Sequence, residues 1–436
     1  MKKHETGFTR DESRNMRVTN ATPATLTATS FPACEQLIRQ CEESLQELRE
    51  RDLLRTLTTI EEIAGCRVRI DGTWKVSWCS NDYLGLSVHP RVVQAACEAA
   101  KRWGIGARAS RLLAGSTALH AQLEARLASF FGTESAIVFP SGYLTNLGTL
   151  ATLLGPGDVV VVDRLAHASL IDACRASRAT LRVFHHNEAD HAASILMKYP
   201  EARRRLLVTE GVFSMDGDAA PLSALSEVAR THDALLYLDD AHGAFTVGST
   251  GRGSPEAAGV SHQAMLYMGT LGKALGCQGG FVAGPASLIT LLQNRARTFI
   301  YATALAVPVI AAAVEALRVI EEEPAIRTRL AENAQLLHAR LSSPADLGAG
   351  RGKRNRLHRD RAPSHIVPVI VGSAPRARDL SSRLWQRGLW APAIRPPTVP
   401  EGTARLRLSL SALHEADQIE ELAQSLRDAL AAQSSS

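Results

Sequence analysis

Between residues 90 and 300 the chain alternates short, wholly apolar runs with longer segments of helical periodicity. A strand with one solvated face alternates polar and apolar residues, whereas a wholly apolar run indicates a strand covered on both faces. Because helical segments separate the runs, the pattern predicts an α/β fold with a mainly parallel sheet between two helical layers. The runs are residues 136–139, 159–162, 206–208, 235–238, 266–268 and 281–283.

The composition is typical of a globular protein, with 45% hydrophobic and 21% charged residues among 436. A net charge of +5 is weak for this length, and a nucleic-acid-binding protein concentrates its basic residues on one face or stripe, so no nucleic-acid partner is expected. Seven cysteines without a C-x-x-C pair indicate reduced thiols rather than disulfides or a zinc site. Neither a secretory signal nor a run of about 20 apolar residues is found. We therefore expect a soluble, cytoplasmic protein with no membrane partner.

Composition and periodicity divide the chain into four segments. Residues 1–32 are polar and predict a disordered extension, and residues 33–80 predict an N-terminal arm with a helix over 34–63 and a hairpin at Asp71-Gly72. Residues 81–302 form the large α/β domain and residues 303–436 a smaller α+β domain. Helices are expected at 307–322, up to 341 and at 416–430, and strands at 366–371 and 404–410. The basic, glycine-containing segment of residues 346–364 is interpreted as a solvated loop.

Polar side chains follow five of the six apolar runs at the point where each run ends. Because the carboxyl ends of neighbouring parallel strands meet at one edge of the sheet, these side chains are expected to form a single site. A lysine, an acidic pair, two histidines and several hydroxyls are among them. The segments are residues 141–143, 163–169, 209–217, 239–243 and 269–273.

These residue types match the needs of one cofactor. Lys273, in an apolar and glycine-containing neighbourhood, can have the lowered pKa that suits a Schiff base. An acidic residue at the end of a buried strand can hold a protonated pyridine nitrogen, as pyridoxal phosphate requires. The helix start at residues 141–143 offers N–H groups to a phosphate, with hydroxyls from Ser214 or Thr270, and His167 can cover the ring. Each residue alone has a commoner structural explanation, but the set together favours a pyridoxal-phosphate site.

Five motifs carry a resemblance to a known family: Ser80-Asn-Asp-Tyr-Leu-Gly-Leu86, Gly115-Ser-Thr-Ala-Leu-His120, Val208-Thr-Glu-Gly-Val-Phe-Ser-Met-Asp-Gly217, Asp239-Asp-Ala-His-Gly243 and Thr270-Leu-Gly-Lys273. The chain resembles the α-oxoamine synthases, pyridoxal-phosphate enzymes of aminotransferase-like fold (fold type I) that condense an amino acid with an acyl thioester and release CO2. The likeness covers about residues 34–430. Residues 393–400 and 402–408 are most similar to the member that joins L-alanine to a pimeloyl thioester, carried by CoA or a carrier protein, in biotin biosynthesis.

The resemblance implies catalytic roles for four residues. Lys273 would bind the cofactor covalently and later move the Cα proton of the substrate. Asp239 would pair with the pyridine nitrogen, and His242 would contact the ring hydroxyl. His167 would stack on the ring.

The resemblance also implies the binding residues. Gly142, Tyr143, Ser214 and Thr270 would hold the cofactor, mostly at its phosphate, and Thr303 would reach the phosphate of a neighbouring subunit in a homodimer. Arg407 would take the amino-acid carboxylate, a bidentate role that a guanidinium fits, while Arg405 is interpreted as a surface or structural arginine. The remaining implied substrate contacts are His167, Ser110, Arg55 and Thr398, of which Arg55 and Thr398 would face the acyl substrate.

One segment departs from the family pattern. Close relatives often have a double glycine before the Ser-Arg pair, but this chain reads Gly104-Ile-Gly-Ala-Arg-Ala-Ser-Arg111. Arg108 and Ala109 therefore leave the acyl chain and its carrier open. The alternatives are a sister synthase using glycine, serine or another acyl-CoA, a fold-related aminotransferase, and a non-catalytic interaction protein based on the basic 351–361 segment. His185, His186 and His191 are interpreted as solvated histidines, so no metal site is expected.

Overall fold

A computed structural model describes residues 32–341 and 363–434. These residues divide into two compact units, one ending at Arg55 and one beginning at Thr56. The predicted extension lies outside the described residues except for its last position, and so does almost all of the basic 346–364 segment. The first unit contains helix α1 (Pro32–Glu50). The helix predicted over residues 34–63 is therefore too long: Asp52 adopts a left-handed backbone with φ 56°, which an α-helix does not accommodate.

The second unit contains three sheets and the remaining helices. Its strands are β1 (Glu62–Ala64), β2 (Arg67–Ile70), β3 (Thr73–Ser77), β4 (Ser135–Phe139), β5 (Val159–Asp163), β6 (Thr180–Phe184), β7 (Arg205–Glu210), β8 (Leu235–Asp239), β9 (Met265–Thr270), β10 (Gly280–Gly284), β11 (Ile366–Gly372), β12 (Leu389–Trp390), β13 (Ala393–Ile394) and β14 (Ala404–Ser409). Its helices are α2 (Pro90–Trp103), α3 (Ala118–Phe131), α4 (Gly142–Leu153), α5 (Ala168–Ala176), α6 (Ala189–Leu196), α7 (Leu222–Thr231), α8 (Ser254–Ala258), α9 (Ala286–Arg295), α10 (Arg297–Ile300), α11 (Val307–Glu322), α12 (Ala325–Arg340), α13 (Ala374–Gln386) and α14 (Ala416–Ser434).

The largest sheet has seven strands in the order β4-β10-β9-β8-β7-β5-β6. The five strands from β9 to β6 are mutually parallel, and β10 is antiparallel to both β9 and β4. Strand β4 consequently runs in the same direction as β9. The carboxyl ends of β4, β5, β7, β8 and β9 therefore meet at one edge, as predicted.

All six apolar runs are strands of this sheet, and β6 is an additional one. Its residues Thr180, Leu181, Arg182 and Val183 are partly or fully exposed, because β6 lies at the edge of the sheet. An edge strand does not need the continuous apolar pattern from which the other strands were predicted.

Two hydrophobic clusters cover the two faces of the sheet. Along β5, Val159 and Val161 lie in one cluster, and Val160 and Val162 lie in the other. This alternation follows from the two-residue period of a strand. Helices α4, α5 and α9 supply residues to the second cluster, while α3, α7 and α11 supply the first.

Two smaller sheets complete the second unit. Strands β11, β14 and β13 form an antiparallel sheet, and β1, β2 and β3 form a meander to which β12 adds in parallel. The predicted hairpin joins β2 and β3, with positive φ angles at Asp71 and Gly72 (48° and 72°) that suit a two-residue turn. The predicted domain boundaries at residues 80 and 302 stay predictions. No helix in the described parts of the chain is both long and apolar enough to cross a membrane.

Candidate active site

Lys273 lies just beyond the end of β9, and its amine is buried in the second unit. Its Nζ lies 2.8 Å from His242 Nε2. Burial lowers the pKa of Lys273 to about 8, and the carboxylates of Asp239 and Glu210 oppose this shift. Burial next to the same ammonium group holds the pKa of His242 well below its usual range, so the imidazole is neutral.

The second nitrogen of His242 connects Lys273 to an arginine. His242 Nδ1 lies 2.7 Å from the hydroxyl of Tyr83. That hydroxyl accepts a bond of 3.0 Å from Arg407 Nη2 and donates one of 3.1 Å to Asn81 Oδ1. The pattern is self-consistent if His242 carries its proton on Nδ1 and accepts from Lys273 at Nε2, a tautomer assigned from the network. The Lys273 amine and the Arg407 guanidinium are thus connected by hydrogen bonds through His242 and Tyr83.

Arg407 has most of its donors occupied. Its Nε donates to the Ser214 carbonyl, its Nη1 to Asn81 and Ser409, and its Nη2 to Tyr83. These bonds use four of the five N–H donors of a guanidinium, so one Nη2 hydrogen has no partner among the described residues. A carboxylate that binds both terminal nitrogens can use the free Nη2 hydrogen, but it must displace Asn81 or Ser409 from Nη1.

Arg405 has a different role from Arg407. It is almost fully buried, at 1% exposure, and its Nη1 donates to Asp216 Oδ1 at 2.8 Å and to the Met215 carbonyl. The interpretation of Arg405 as structural is consistent with this ion pair, but Arg405 is not on the surface. Positions 405 and 407 share a face of β14, and only Arg407 bonds to Tyr83.

Asp239 is the last residue of β8 and accepts two hydrogen bonds. Asn146 Nδ2 donates to its Oδ2 at 2.7 Å, and the Ala241 amide donates to its Oδ1 at 3.0 Å. The same Asn146 Nδ2 donates to Ser169 Oγ at 2.9 Å, and Ser169 Oγ lies 2.7 Å from His167 Nδ1. Asp239 and His167 are therefore linked through one amide and one hydroxyl.

His167 is positioned from both its ring and its backbone. It caps α5, and its Nδ1 accepts the Ser169 amide, so the proton of the neutral ring lies on Nε2. Burial lowers the pKa of His167. The His167 amide donates to Glu210 Oε1 at 2.6 Å. Burial and the neighbouring Asp239 raise the pKa of Glu210 well above its usual value.

Asp240, the second member of the acidic pair, belongs to a separate network. Its Oδ1 accepts from Ser254 Oγ at 2.6 Å, and its Oδ2 accepts from the Ser254 amide and the Tyr267 hydroxyl. Burial raises the pKa of Asp240 to about 7. The two adjacent carboxyls thus have different partners, and only Asp239 is linked to His167.

The start of α4 forms the other end of the site. Ser141 caps the helix by accepting from the Leu144 amide, and the first amides of a helix have no acceptor inside it. Gly142 and Tyr143 therefore present N–H groups at a helix N-terminus, an arrangement that favours an anion. Gly280 lies close to this turn: a Cβ at position 280 would come within 2.9 Å of the Gly142 nitrogen.

Two predicted phosphate ligands already have protein partners. The Thr270 hydroxyl donates to the Gly279 carbonyl at 2.8 Å and accepts from the Gly272 amide. The Tyr143 hydroxyl donates to Asp172. Their roles toward a cofactor stay predictions, and for Tyr143 the backbone amide is the better candidate.

The remaining predicted residues differ in how well the structure connects them. Ser110 and Thr303, for which the resemblance implies separate binding roles, pair in an isolated antiparallel bridge. Thr398 is exposed in the loop between β13 and β14. Arg55 is the last residue of the first unit. The substrate roles of Ser110, Thr398 and Arg55 stay predictions.

The three histidines after β6 are not equivalent. His185 and Glu188 are exposed and lie beside His191, with one possible ligand atom from each within 4.8 Å of the others. However, His191 Nδ1 accepts the His185 amide, which leaves the ring proton on the other nitrogen and disfavours metal ligation. His186 is not a solvated histidine: it bridges the carboxylates of Asp163 and Asp218. The interpretation of His186 as solvated is therefore wrong.

For several residues of the site, the sequence does not indicate an individual role. Asn146, Ser169 and Glu210 were not assigned a role, because a polar residue within a helix or at a strand end resembles many others. Tyr83 and Asn81 belong to a motif that was recognised, but the motif alone does not show that they connect Arg407 to His242.

Comparison with known proteins identifies the family. The aminotransferase class I and II family model matches residues 73–426. A curated 8-amino-7-oxononanoate synthase from Geobacter sulfurreducens is 46% identical over 386 residues, which is 88% of this chain and 96% of that protein.

Solved structures agree with this result. A serine palmitoyltransferase from S. paucimobilis with bound PLP and myriocin has a TM-score of 0.84 and 31% identity, covering 91% of this chain and 98% of that one. An 8-amino-7-oxononanoate synthase from Francisella tularensis has a TM-score of 0.69 and 27% identity, covering 82% and 98%. The chain belongs to the aminotransferase class I and II family and, within it, to the 8-amino-7-oxononanoate synthase group of α-oxoamine synthases. The predicted resemblance and the aminotransferase-like fold are thus confirmed.

Proposed function

We propose that the protein uses pyridoxal 5'-phosphate to condense L-alanine with a pimeloyl thioester, releasing CO2 and the thiol and forming 8-amino-7-oxononanoate for biotin biosynthesis. The observation that carries this proposal is the buried Lys273 amine, hydrogen-bonded to neutral His242 and near the Asp239 carboxylate. The 46% identity to a curated 8-amino-7-oxononanoate synthase supports the choice of reaction.

The donor set fits the cofactor. The helix N-terminus at Gly142 and Tyr143 suits its phosphate, and a carboxylate at the end of β8 suits a protonated pyridine nitrogen. When bound, pyridoxal phosphate withdraws electrons from the amino acid attached to it and so makes the Cα proton acidic. Asp239, Lys273, His242, His167, Ser214 and Thr270 are proposed to hold this group.

Lys273 is suited to both of its proposed tasks. A lysine with a pKa near 8 has a substantial neutral fraction at mildly alkaline pH, whereas an unperturbed lysine is almost fully protonated. The lone pair of the neutral amine can form a covalent bond or remove a proton. His242, held by Tyr83, accepts a hydrogen bond from this amine and keeps it in one place.

Arg407 is proposed to bind the alanine carboxylate. Arg407 is 7% exposed, and its guanidinium carries one Nη2 hydrogen that has no partner among the described residues. The Tyr83 hydroxyl lies 3.0 Å from Nη2 and can provide a second donor once it turns from Asn81. A carboxylate placed there lies on the same hydrogen-bonded chain as Lys273.

We propose a homodimer in which Thr303 reaches the cofactor phosphate of the partner subunit. Large apolar side chains are exposed close in sequence to the Ser110–Thr303 bridge: Ile105, Leu113 and Tyr301 are 73%, 80% and 72% exposed. Large apolar side chains exposed on neighbouring segments are expected at a protein–protein contact. Light scattering should give about twice the chain mass, and Leu113→Arg should reduce it.

The proposed reaction is tested by thiol release together with product mass. Purified enzyme is supplied with pimeloyl-CoA and, in separate reactions, alanine, glycine or serine. The proposal expects thiol release with alanine and a product with the mass of 8-amino-7-oxononanoate. Release only with serine or glycine would instead indicate a sister synthase, and no release would contradict both. Lys273→Ala should abolish turnover, whereas the exposed Lys198→Ala should not.

A further inference from the structure

His186 lies between two buried carboxylates from different parts of the chain. Its Nδ1 lies 2.9 Å from Asp163 Oδ1, at the end of β5, and its Nε2 lies 2.8 Å from Asp218 Oδ2, in the loop after β7. The side chains of Asp163 and Asp218 are 0% and 1% exposed. Burial alone would lower the pKa of His186, but the two carboxylates outweigh it and raise the pKa to about 9. His186 is therefore an imidazolium at neutral pH, with both N–H groups donated.

The neighbouring Asn187 strengthens the same connection. Its backbone N–H donates to Asp163 Oδ2, and its side-chain Nδ2 donates to Asp218 Oδ2, each at 2.9 Å. The ring of Phe213 packs edge-on against His186, with centroids 4.4 Å apart. Two consecutive residues after β6 thus attach one end of the 211–219 loop to β5.

The opposite side of this loop contacts the site. The Ser214 carbonyl accepts from Arg407 Nε, and the Met215 carbonyl accepts from Arg405. The loop is closed by the Phe213 amide, which donates to the Asp218 carbonyl at 2.8 Å. At its tip, Gly217 has φ 67°, and a Cβ there would lie 2.1 Å from the Ile366 carbonyl oxygen. The loop therefore lies between the His186 contacts and the arginine that is proposed to bind substrate.

We propose that His186 is a positioning residue for the amino-acid substrate: by bridging Asp163 and Asp218 it fixes the 211–219 loop, and through the Ser214 carbonyl it fixes the orientation of Arg407. His186 itself touches neither the substrate nor Lys273 in this proposal. A Gln at position 186 can replace at most one of the two charged bonds. The loop then loses one attachment, and Arg407 loses the rigid acceptor that orients its Nε.

The first test is independent of the reaction. Amide hydrogen exchange is measured on cofactor-free parental protein, His186→Gln and the matched control His185→Gln, whose side chain is exposed. The proposal expects exchange in residues 211–219 to increase about tenfold in His186→Gln, with β8 and the control unchanged. Equal protection of the loop in His186→Gln and the parent would overturn the proposal. A loss of protection throughout His186→Gln would point to misfolding of that variant, and Asp218→Asn would then be measured in its place. The same increase, confined to residues 211–219, is expected for Asp218→Asn. Exchange in this loop equal to that of the parent would overturn the proposal.

The second test rests on the proposed function. A displacement of Arg407 by about half an ångström should raise the KM for alanine about tenfold in His186→Gln. The KM for the acyl thioester and the kcat should stay within about twofold of the parent. A fall in kcat with an unchanged alanine KM would overturn the positioning role. If the parent does not use alanine, the proposed function fails, but the exchange experiment still decides whether His186 holds the loop.

Discussion

Replacing Asp239 by Asn tests whether the carboxylate acts as a double acceptor. In the structure, Asn146 Nδ2 donates to one oxygen and the Ala241 amide donates to the other. An Asn side chain has one acceptor oxygen and one NH2 group. Either orientation of the new amide therefore places NH2 against an N–H donor. Asn146 cannot turn to relieve this contact, because its Oδ1 accepts from Tyr237 and its Nδ2 also bonds to Ser169.

The cost follows from leaving one buried donor without an acceptor. Such a donor destabilises a protein by about 1–3 kcal/mol. The substitution also removes a negative charge that raises the pKa of Lys273, so that pKa should fall further below about 8. Both effects exist without the cofactor, and a loss of cofactor affinity and activity should accompany them.

The matched control is Asp240→Asn, the same substitution at the next residue. Here the new NH2 group can donate to Ser254 Oγ, because a hydroxyl can reverse its bond, while the oxygen keeps the Ser254 amide and Tyr267. Thermal melting of the cofactor-free proteins should place Asp239→Asn a few degrees below Asp240→Asn. Equal melting temperatures would show that Asp239 is not held between two donors.

Three further changes have distinct expected results. Arg407→Lys keeps the positive charge but removes the planar guanidinium that can bind a carboxylate through two N–H groups. The KM for alanine should therefore rise roughly 10–100-fold in steady-state assays, with little change in the KM for the thioester. An unchanged KM for alanine would show that Arg407 does not bind the alanine carboxylate. Between about pH 8 and 10.5, Lys273 holds a proton in the unfolded chain but not in the folded cofactor-free protein. The free energy of unfolding of the parent should therefore rise with pH relative to that of Lys273→Met, as measured by denaturation at several pH values. A difference between the two proteins that does not change with pH would contradict the lowered pKa of Lys273. Arg108 has φ 71°, a conformation that costs a non-glycine residue about 1–2 kcal/mol. Arg108→Gly removes this strain but loses about 1 kcal/mol because glycine makes the unfolded chain more flexible, so the melting temperature should rise slightly. A lower melting temperature would show that the Arg108 side chain makes a stabilising contact.

The parts of the fold that the sequence predicts are those with a strong local pattern. Strand β8 and helix α11 follow from continuous apolar or 3.6-residue periodicity, and the Asp71-Gly72 turn follows from the conformational preferences of its residues. Strand β6 lacks such a pattern because one edge of it is solvated. The end of α1 was missed because nothing in the apolar spacing marks the left-handed backbone at Asp52.

The candidate site divides in the same way. Residues that follow strand ends, such as Lys273, Asp239 and His167, could be placed together because parallel strands share one edge. The contacts of Asn146 and His186 could not be predicted, since each joins segments that are far apart in sequence. Whether a histidine is solvated or lies between two buried carboxylates depends on tertiary packing that the local sequence does not encode.

The most direct measurement concerns the covalent attachment. The sequence has seven lysines, so borohydride reduction of the enzyme with pyridoxal phosphate, followed by peptide mass spectrometry, can identify the modified residue. We expect the modification on Lys273 alone, at about one per chain, and its loss in Lys273→Met. Modification of another lysine, or an unmodified Lys273 in protein that turns over alanine and pimeloyl-CoA, would contradict the account.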